Sequence, residues 1–280
     1  MKNSNIKIKF KRFFIYLTMI ILALVALVPL YVMMINATRT TEQINTGLSL
    51  QPGTNAINNW NTLTNRRFQI WHGFLNSAFI ASCTTLLSVY FSGLTAYGLH
   101  VYRFKGRTAI WSLILIVMML PSSLVFIGFY KQMAGWGLTN NYIPLIIPSV
   151  AAASSVLFIR QYMMSALSID LIDAARIDGA GEFRIFNTII IPVIIPVLAA
   201  LSIFTFIGSW NSYITPFVLI SNEKMYTLPM LVQTLSADIF RVEYGGIYIG
   251  IAASLLPIIV FYIFMSRFII SGITLGGIKE

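Results

Sequence analysis

The sequence predicts an all-α polytopic membrane protein with six transmembrane helices. Of its 280 residues, 57% are hydrophobic and only 10% are charged, whereas soluble domains carry roughly 25% charged residues. The apolar residues are gathered into long runs, and a helix needs about 20 residues to cross the bilayer core. Alternating segments of roughly ten residues, which are typical of transmembrane barrels, do not dominate the chain. The 20 Phe and 13 Tyr exclude a disordered chain.

Six apolar runs have the required length, and they define the domain organisation. The runs span residues 13–36, 73–99, 109–130, 142–165, 187–220 and 246–270. We expect the last five runs to form one transmembrane domain over residues 73–270. The remaining segments are predicted to be a cytoplasmic leader at 1–12, an extracytoplasmic loop at 37–72 and a cytoplasmic tail at 271–280.

The first apolar run follows a basic leader and can therefore be compared with a secretory signal peptide. It contains 23 uncharged residues, from Phe13 to Ile35, whereas the apolar part of a signal peptide has about 7–15. No convincing cleavage site of small residues follows it. We therefore expect residues 13–36 to be retained as the first transmembrane helix.

The lysines and arginines predict that both termini lie in the cytoplasm. Basic residues are enriched in the cytoplasmic segments of membrane proteins. With the N-terminus inside, most of the 19 basic residues fall in cytoplasmic segments, namely Lys2, Lys7, Lys9, Lys11, Arg12, Arg103, Lys105, Arg107, Arg160, Arg176, Arg184, Arg267 and Lys279. This orientation accounts for the net charge of +10. No concentrated basic face indicates a nucleic-acid partner.

One polar segment, DAARIDGAGEFRIFNTIIIP at residues 173–192, interrupts the apolar chain on the predicted cytoplasmic side. Asp170 and Asp173 suit the start of a short helix, where negative charge complements the helix dipole. Gly179 suits a helix end in the left-handed conformation, and Glu182 can begin a second helix. The pattern predicts a helix, a glycine break and a second helix. From physics alone, a solvated connector and a docking element remain equal alternatives.

This segment resembles the EAA loop, E-A-A-x3-G-x9-I-x-L-P, of binding-protein-dependent ABC importer permeases. The matching residues are Asp173, Ala174, Ala175, Gly179, Ile189 and Pro192. Asp173 stands in place of the usual Glu, and Ile191 stands in place of Leu. Further stretches between about residues 70 and 270, and the C-terminal GITLGGIKE, are similar to the carbohydrate-importing, MalG-like branch of these permeases.

The resemblance implies the type I ABC importer permease fold and a set of partners. The expected partners are a second permease subunit in a heterodimer, two cytoplasmic ATPase subunits, an extracytoplasmic solute-binding protein and a sugar. A coupling loop at 168–186 would enter a cleft of an ATPase. The residues assigned by this resemblance to ATPase coupling are Asp173, Ala174, Ala175, Arg176, Asp178, Gly179, Ile189 and Pro192. The outer loop at 221–245 would face the solute-binding protein.

The chain lacks the groups of an enzyme. It contains no G-x-x-x-x-G-K-[ST] motif, so the resemblance implies that ATP and Mg are bound by a separate ATPase subunit, and no cofactor is expected on this chain. Cys83 is the only cysteine. Its spacing from His72 and His100 does not indicate a metal site.

Polar residues within the fifth run are candidates for a substrate pathway. Trp210, Asn211 and Tyr213 combine aromatic faces with hydrogen-bonding groups, which suit a sugar, although hydrogen bonding between helices explains them equally well. We expect the chain to be the permease subunit of an ATP-driven importer of a carbohydrate, an oligosaccharide. The alternatives are an ATP-independent secondary transporter and a related importer of a polyol or glycerol phosphate. The first alternative usually requires carboxylates inside the membrane, and every Asp and Glu here falls in a predicted loop or at a terminus.

Overall fold

The computed structural model describes residues 2–65, 70–237 and 242–276. These residues form helices joined by loops, and no strand occurs among them. The chain divides into two compact units. One comprises Met1–Gln69 with Val232–Leu255, and the other comprises Ile70–Leu231 with Leu256–Glu280. The predicted all-α fold class is therefore confirmed.

The helices are, in chain order, α1 Lys2–Ala37, α2 Thr41–Asn45, α3 Ala56–Asn65, α4 Ile70–Val101, α5 Arg107–Met119, α6 Ser122–Gly135, α7 Ile143–Ile146, α8 Ala153–Ala166, α9 Ile169–Ile177, α10 Glu182–Ile185, α11 Ile191–Trp210, α12 Ile214–Leu219, α13 Leu228–Ala237 and α14 Tyr244–Gly276. A π-helical turn, Phe186–Ile190, joins α10 to α11. Two 3₁₀ turns lie at Ile147–Ser149 and Glu223–Met225.

In the first unit, hydrogen bonds from polar side chains order the segment that follows α1. Thr40 forms a capping box with Gln43, in which each side chain accepts a hydrogen bond from the other residue's backbone N–H. The buried Asn59 side chain donates to the carbonyls of Ala37 and Arg39 at 2.8 and 2.9 Å. These bonds tie α3 to the end of α1, because a buried amide needs partners of its own.

In the second unit, α4 packs against α8 and α11 and forms the centre of the core. Small residues on α4 allow this close packing, as is common between membrane helices. At one end of the three helices the core is apolar and fully buried; its largest members are Ile159, Met163, Ile172, Ile185, Phe186, Ile190 and Ile194. Because this cluster includes residues of α9 and α10, it holds the polar segment against the membrane helices.

Five helical segments are long and apolar enough to cross a membrane. They are Phe10–Ala37, Ile70–Val101, Ile143–Ala166, Glu182–Trp210 and Tyr244–Ile269. Each corresponds to one predicted run, although the fifth run ends at Trp210 rather than at 220. The end of α14, at Gly276, lies beyond the predicted end at 270. Parts of three predicted segments lie outside the described residues, namely residues 66–69 of the outer loop at 37–72, residues 238–241 of the outer loop at 221–245 and the last four residues of the tail.

The third predicted run, 109–130, does not form one helix. It is divided into α5 and α6 at Leu120, which has the extended backbone angles φ −76° and ψ 129°. The following Pro121 explains the break, because a residue before proline avoids the helical conformation and proline itself cannot donate a backbone hydrogen bond. The count of six spans and the orientation of the termini stay predictions.

Candidate coupling surface and translocation cavity

The polar segment has the predicted helix, glycine break and second helix. α9 begins after Ser168 and ends at Ile177, and Gly179 then adopts φ +77°. This left-handed turn lets the backbone N–H of Ala180 bond to the carbonyl of Ala175 at 3.0 Å, and that of Gly179 to the carbonyl of Arg176 at 3.0 Å. Glycine is favoured here because other residues are strained at positive φ.

An ion-pair network ties this turn to the end of α4. The Arg176 guanidinium donates from Nε to Glu182 Oε1 at 2.8 Å and from Nη1 to Asp173 Oδ1 at 3.0 Å. The Tyr97 hydroxyl donates to the other oxygen of Glu182 at 2.9 Å. Glu182 therefore connects α9, α10 and α4 with one carboxylate. Sequence reasoning treated Glu182 only as the start of a helix.

The same network affects the protonation of its neighbours. The hydrogen bond to Glu182 raises the pKa of Arg176, which keeps the guanidinium charged. Burial raises the pKa of Tyr102, and its hydrogen bond to Glu182 acts in the same direction. The ring of Tyr102 lies 5.7 Å from the Arg176 guanidinium carbon, so this aromatic side chain borders the ion pair at the end of α4.

The structure divides the residues of the EAA-like motif between the core and the surface. Asp173, Ala174, Asp178 and Gly179 are exposed, whereas Ala175 is only 8% exposed and belongs to the core. Of the two adjacent alanines of the motif, Ala174 therefore lies at the surface and Ala175 in the core.

The remaining motif residues lie farther along the chain. Ile189, in the π-helical turn, packs against the core, and Pro192, at the start of α11, is exposed. Their contribution to ATPase coupling stays a prediction.

Two large apolar side chains are exposed beside this turn and were not singled out from the sequence. Ile177 is 86% exposed and Phe183 is 69% exposed. Ile177 lies outside the five candidate spans, and Phe183 is the second residue of the span Glu182–Trp210. A signal for Ile177 was available in the sequence, because the pattern D-A-A-R-I-D-G places this apolar residue directly before the turn. With Asp173, Ala174 and Asp178 they form what we call the coupling surface.

A cavity of about 710 Å³ lies within the second unit, away from the coupling surface. Its wall includes parts of α4, α5, α6 and α11, together with the segments before α8 and after α11. Hydroxyl-bearing side chains recur around this wall, namely Ser77, Thr84, Ser149, Thr205, Ser209, Ser212, Thr215 and Thr227. None of the described residues that line the cavity carries a formal charge.

The three pathway residues predicted from the sequence do not line this cavity. Trp210 is buried, with ring centroids 6.0 Å from Phe74 and 5.7 Å from Phe206. Asn211 is exposed at the end of α11, and Tyr213 packs against Phe217 at 5.2 Å. The rings of Trp210 and Tyr213 thus serve the packing near the end of α11, and the part of all three residues in a pathway stays a prediction.

The hydroxyls of the same segment do line the cavity. Ser209, Ser212 and Thr215 recur at every third position, and this spacing was a signal that sequence reasoning could have used. Thr227 also lies in the wall, and its hydroxyl oxygen is buried without a hydrogen-bond partner among the described residues. Ser77 accepts a hydrogen bond from the backbone N–H of Leu228 at 2.9 Å. The wall therefore offers both free and engaged hydroxyls.

Comparison with known proteins places the chain in a family. Residues 88–274 match the family described as binding-protein-dependent transport system inner membrane component. The arabinooligosaccharides transport system permease protein AraQ of Bacillus subtilis (strain 168) is 33% identical over 261 residues, which cover 92% of each chain. The sn-glycerol-3-phosphate transport system permease protein UgpE of Escherichia coli (strain K12) is 30% identical, with 91% of this chain and 94% of the relative covered.

A solved structure supports the same assignment at the level of the fold. A bacterial ABC transporter involved in the import of the acidic polysaccharide alginate matches with a TM-score of 0.79, 22% identity and coverage of 91% of this chain and 96% of that chain. The family consists of permease subunits, which are not themselves enzymes. The chain therefore belongs to the inner membrane components of binding-protein-dependent transport systems and is a multi-pass permease subunit of an ABC importer.

Proposed function

We propose that this permease subunit contributes to the uptake of a neutral carbohydrate, an oligosaccharide, through the cavity in its second unit. The observation that carries the proposal is the wall of that cavity, in which hydroxyl groups recur and none of the described lining residues is charged. Serine and threonine hydroxyls both donate and accept hydrogen bonds, as sugar hydroxyls do. The 33% identity to an arabinooligosaccharides permease supports the same substrate class.

The uncharged wall disfavours glycerol phosphate, although a permease for that substrate is 30% identical. An anion that leaves water for an apolar site is stable there only when it is paired with positive charge or strong donors. The cavity has phenylalanine rings at Phe126 and Phe129 and no lysine or arginine among its described lining residues. A polyol would be compatible with the same hydroxyl groups.

The coupling surface supports docking of a separate ATPase. Exposed Ile177 and Phe183 offer apolar contact, and the exposed Asp173 and Asp178 offer charged contacts at its border. In this proposal ATP and Mg are bound by the ATPase subunit, and closure of two such subunits moves α9 and α10. A second permease subunit and a solute-binding protein complete the importer.

The distribution of carboxylates disfavours a secondary transporter. Among the described residues of the five candidate spans, the only carboxylate is Glu182, at the start of its span. It is paired with Arg176 at 2.8 Å. A proton-coupled or sodium-coupled carrier usually places such a group within the membrane.

The proposal is tested by transport in vesicles that contain the chain with its co-purifying subunits and a candidate binding protein. We expect ATP-dependent uptake of a neutral oligosaccharide and no uptake of glycerol 3-phosphate. Uptake of glycerol 3-phosphate alone would contradict the substrate assignment. Uptake without ATP would contradict the importer mechanism.

A pair of matched variants tests the cavity itself. Thr215→Val removes a half-buried hydroxyl of the wall while keeping its shape, and it should raise the KM for the sugar severalfold because a neutral hydrogen bond contributes about 0.5–1.5 kcal/mol. Thr188→Val makes the same change at an exposed site outside the cavity. Equal KM values in both variants and the parent would exclude Thr215 from the pathway.

A further inference from the structure

A second, smaller pocket lies at the C-terminal end of α4, the end that also contacts the polar segment through Tyr97. It has a volume of about 270 Å³ and is lined by Leu99, Arg107, Thr108, Trp111 and Arg160. These residues belong to α4, α5 and α8 and do not take part in the cavity described above. Two of the five are arginines, so the pocket carries concentrated positive charge.

Neither arginine is neutralised by a carboxylate of the described residues. Arg160 lies over the ring of Trp111, with 4.2 Å from the guanidinium carbon to the ring centroid. Its Nε is buried and has no hydrogen-bond partner within the described part of the chain. Within the described residues, the Arg107 side chain donates only a long bond, 3.4 Å, to the carbonyl of His100. Both side chains therefore retain unused donors.

The position of Arg160 makes this arrangement unusual. The predicted orientation counts Arg160 among the cytoplasmic basic residues although it falls in the predicted run 142–165, and the structure likewise includes it in the candidate span Ile143–Ala166. An arginine within a membrane helix is costly unless it is paired or reaches the membrane surface. The stacking on Trp111 compensates part of the charge, and a bound anion would compensate the remainder.

We propose that this pocket binds the phosphate of an anionic phospholipid, with phosphatidylglycerol as the representative headgroup. A guanidinium is well suited to phosphate because it presents paired donors in one plane. Basic pockets between transmembrane helices at the membrane surface are typical sites for such headgroups. The start of α5 adds donors, because Gly106 provides no side-chain cap and the first N–H groups of a helix favour anions.

The surroundings of the pocket favour a lipid over free phosphate. On α5, Leu115 is 38% exposed and Met118 is 39% exposed, and they stand four and seven residues after the lining residue Trp111, on the same face of the helix. An apolar surface that continues from a phosphate site can contact acyl chains, whereas inorganic phosphate gains nothing from it. Trp111 suits the boundary between headgroups and hydrocarbon.

The test measures the lipids retained by the full chain and its co-purifying subunits in mild detergent. Arg107→Gln and Arg160→Gln should each lower retained phosphatidylglycerol roughly fivefold, since one basic residue near an anionic surface contributes about 1 kcal/mol, and retained phosphatidylethanolamine should not change. Arg103→Gln is the matched control, because Arg103 is exposed in the turn before α5 and lies outside the pocket.

Three results would overturn the proposal. The first is unchanged phosphatidylglycerol in both pocket variants, and the second is an equal loss of both lipids, which would indicate altered packing. The third comes from delipidated protein, if inorganic phosphate raises the Tm as much as phosphatidylglycerol vesicles do, because the site would then bind free anions. Should Arg160→Gln fail to fold, Arg107→Gln decides the outcome, since Arg107 is only half-buried and is the first residue of α5.

Discussion

At the scale of single residues, one carboxylate has more influence than its place in the sequence indicates. Glu182 lies outside the six positions that resemble the EAA motif, yet it joins Arg176 of α9 to Tyr97 of α4. An exposed ion pair of this kind contributes only about 0.2–1 kcal/mol to stability. Its effect is therefore expected in the orientation of α9 and not in the folding of the chain.

Glu182→Gln tests this orientation. It removes the charge that holds Arg176, so we expect normal expression and thermal stability but weaker stimulation of ATP hydrolysis by substrate. The measurement is ATPase activity of the reconstituted importer with and without sugar. Glu223→Gln, at an exposed carboxylate in a 3₁₀ turn, is the control. Equal stimulation in both variants would show that the network is not needed for coupling.

Gly179→Ala tests the turn that follows α9. A left-handed conformation costs a non-glycine residue about 1–2 kcal/mol. No atom of the described residues lies within 4 Å of the added Cβ, so the effect comes from the backbone alone. We expect reduced co-purification of the ATPase. Gly181→Ala is the matched control, because Gly181 has φ −69° and equally open space. The same reduction in both variants would refute the backbone explanation.

At the scale of the elements, the break between α5 and α6 shapes the cavity wall. Val117 and Leu120 lie before Pro121, and Val125 and Phe126 lie after it, and all four line the cavity. A continuous helix could not turn both groups toward one space in the same way. The apolar run 109–130 predicted a single span because hydropathy measures only the polarity of side chains. It does not take into account that proline has no backbone N–H to donate.

Pro121→Ala restores that donor and permits α5 to continue. We expect a slower rate of sugar transport with little loss of the folded protein, because the cavity wall would be displaced. The measurement is initial uptake in vesicles. Pro29→Ala, in the exposed middle of α1, is the control, and we expect normal transport from it. Normal transport in the Pro121 variant would indicate that the break has no role in the pathway.

At the scale of the whole molecule, the orientation in the membrane is the prediction with the widest consequences. It decides whether the coupling surface and the arginine pocket face the cytoplasm. In the isolated chain, the residues of α1 from Phe10 to Leu30 are exposed. In the membrane this apolar surface must be covered by lipid or by another subunit. The single cysteine, Cys83, makes a cysteine-free background simple to prepare.

Labelling with a membrane-impermeant maleimide tests the orientation in a Cys83→Ala background. Gln51→Cys, in the predicted outer loop, should react in intact cells. Lys105→Cys, in the predicted cytoplasmic turn, should react only after permeabilisation; both positions are exposed. The reverse pattern would place the coupling surface outside and contradict the proposed importer.

The sequence by itself determined the membrane class, the approximate positions of five spans and the local structure of the polar segment. These features depend on local chemistry: the length of apolar runs, the tolerance of glycine for positive φ and the preference of helix starts for acids. The motif also indicated the family to which comparison assigns the chain.

Tertiary structure alone decided which side chains meet. It placed Ala175 in the core beside exposed Ala174, paired Glu182 with Tyr97 across 85 positions of sequence, and lined the cavity with hydroxyls instead of Trp210, Asn211 and Tyr213. It also brought Arg107 and Arg160 to one pocket. Local patterns cannot specify such contacts, because they depend on how distant helices pack around α4.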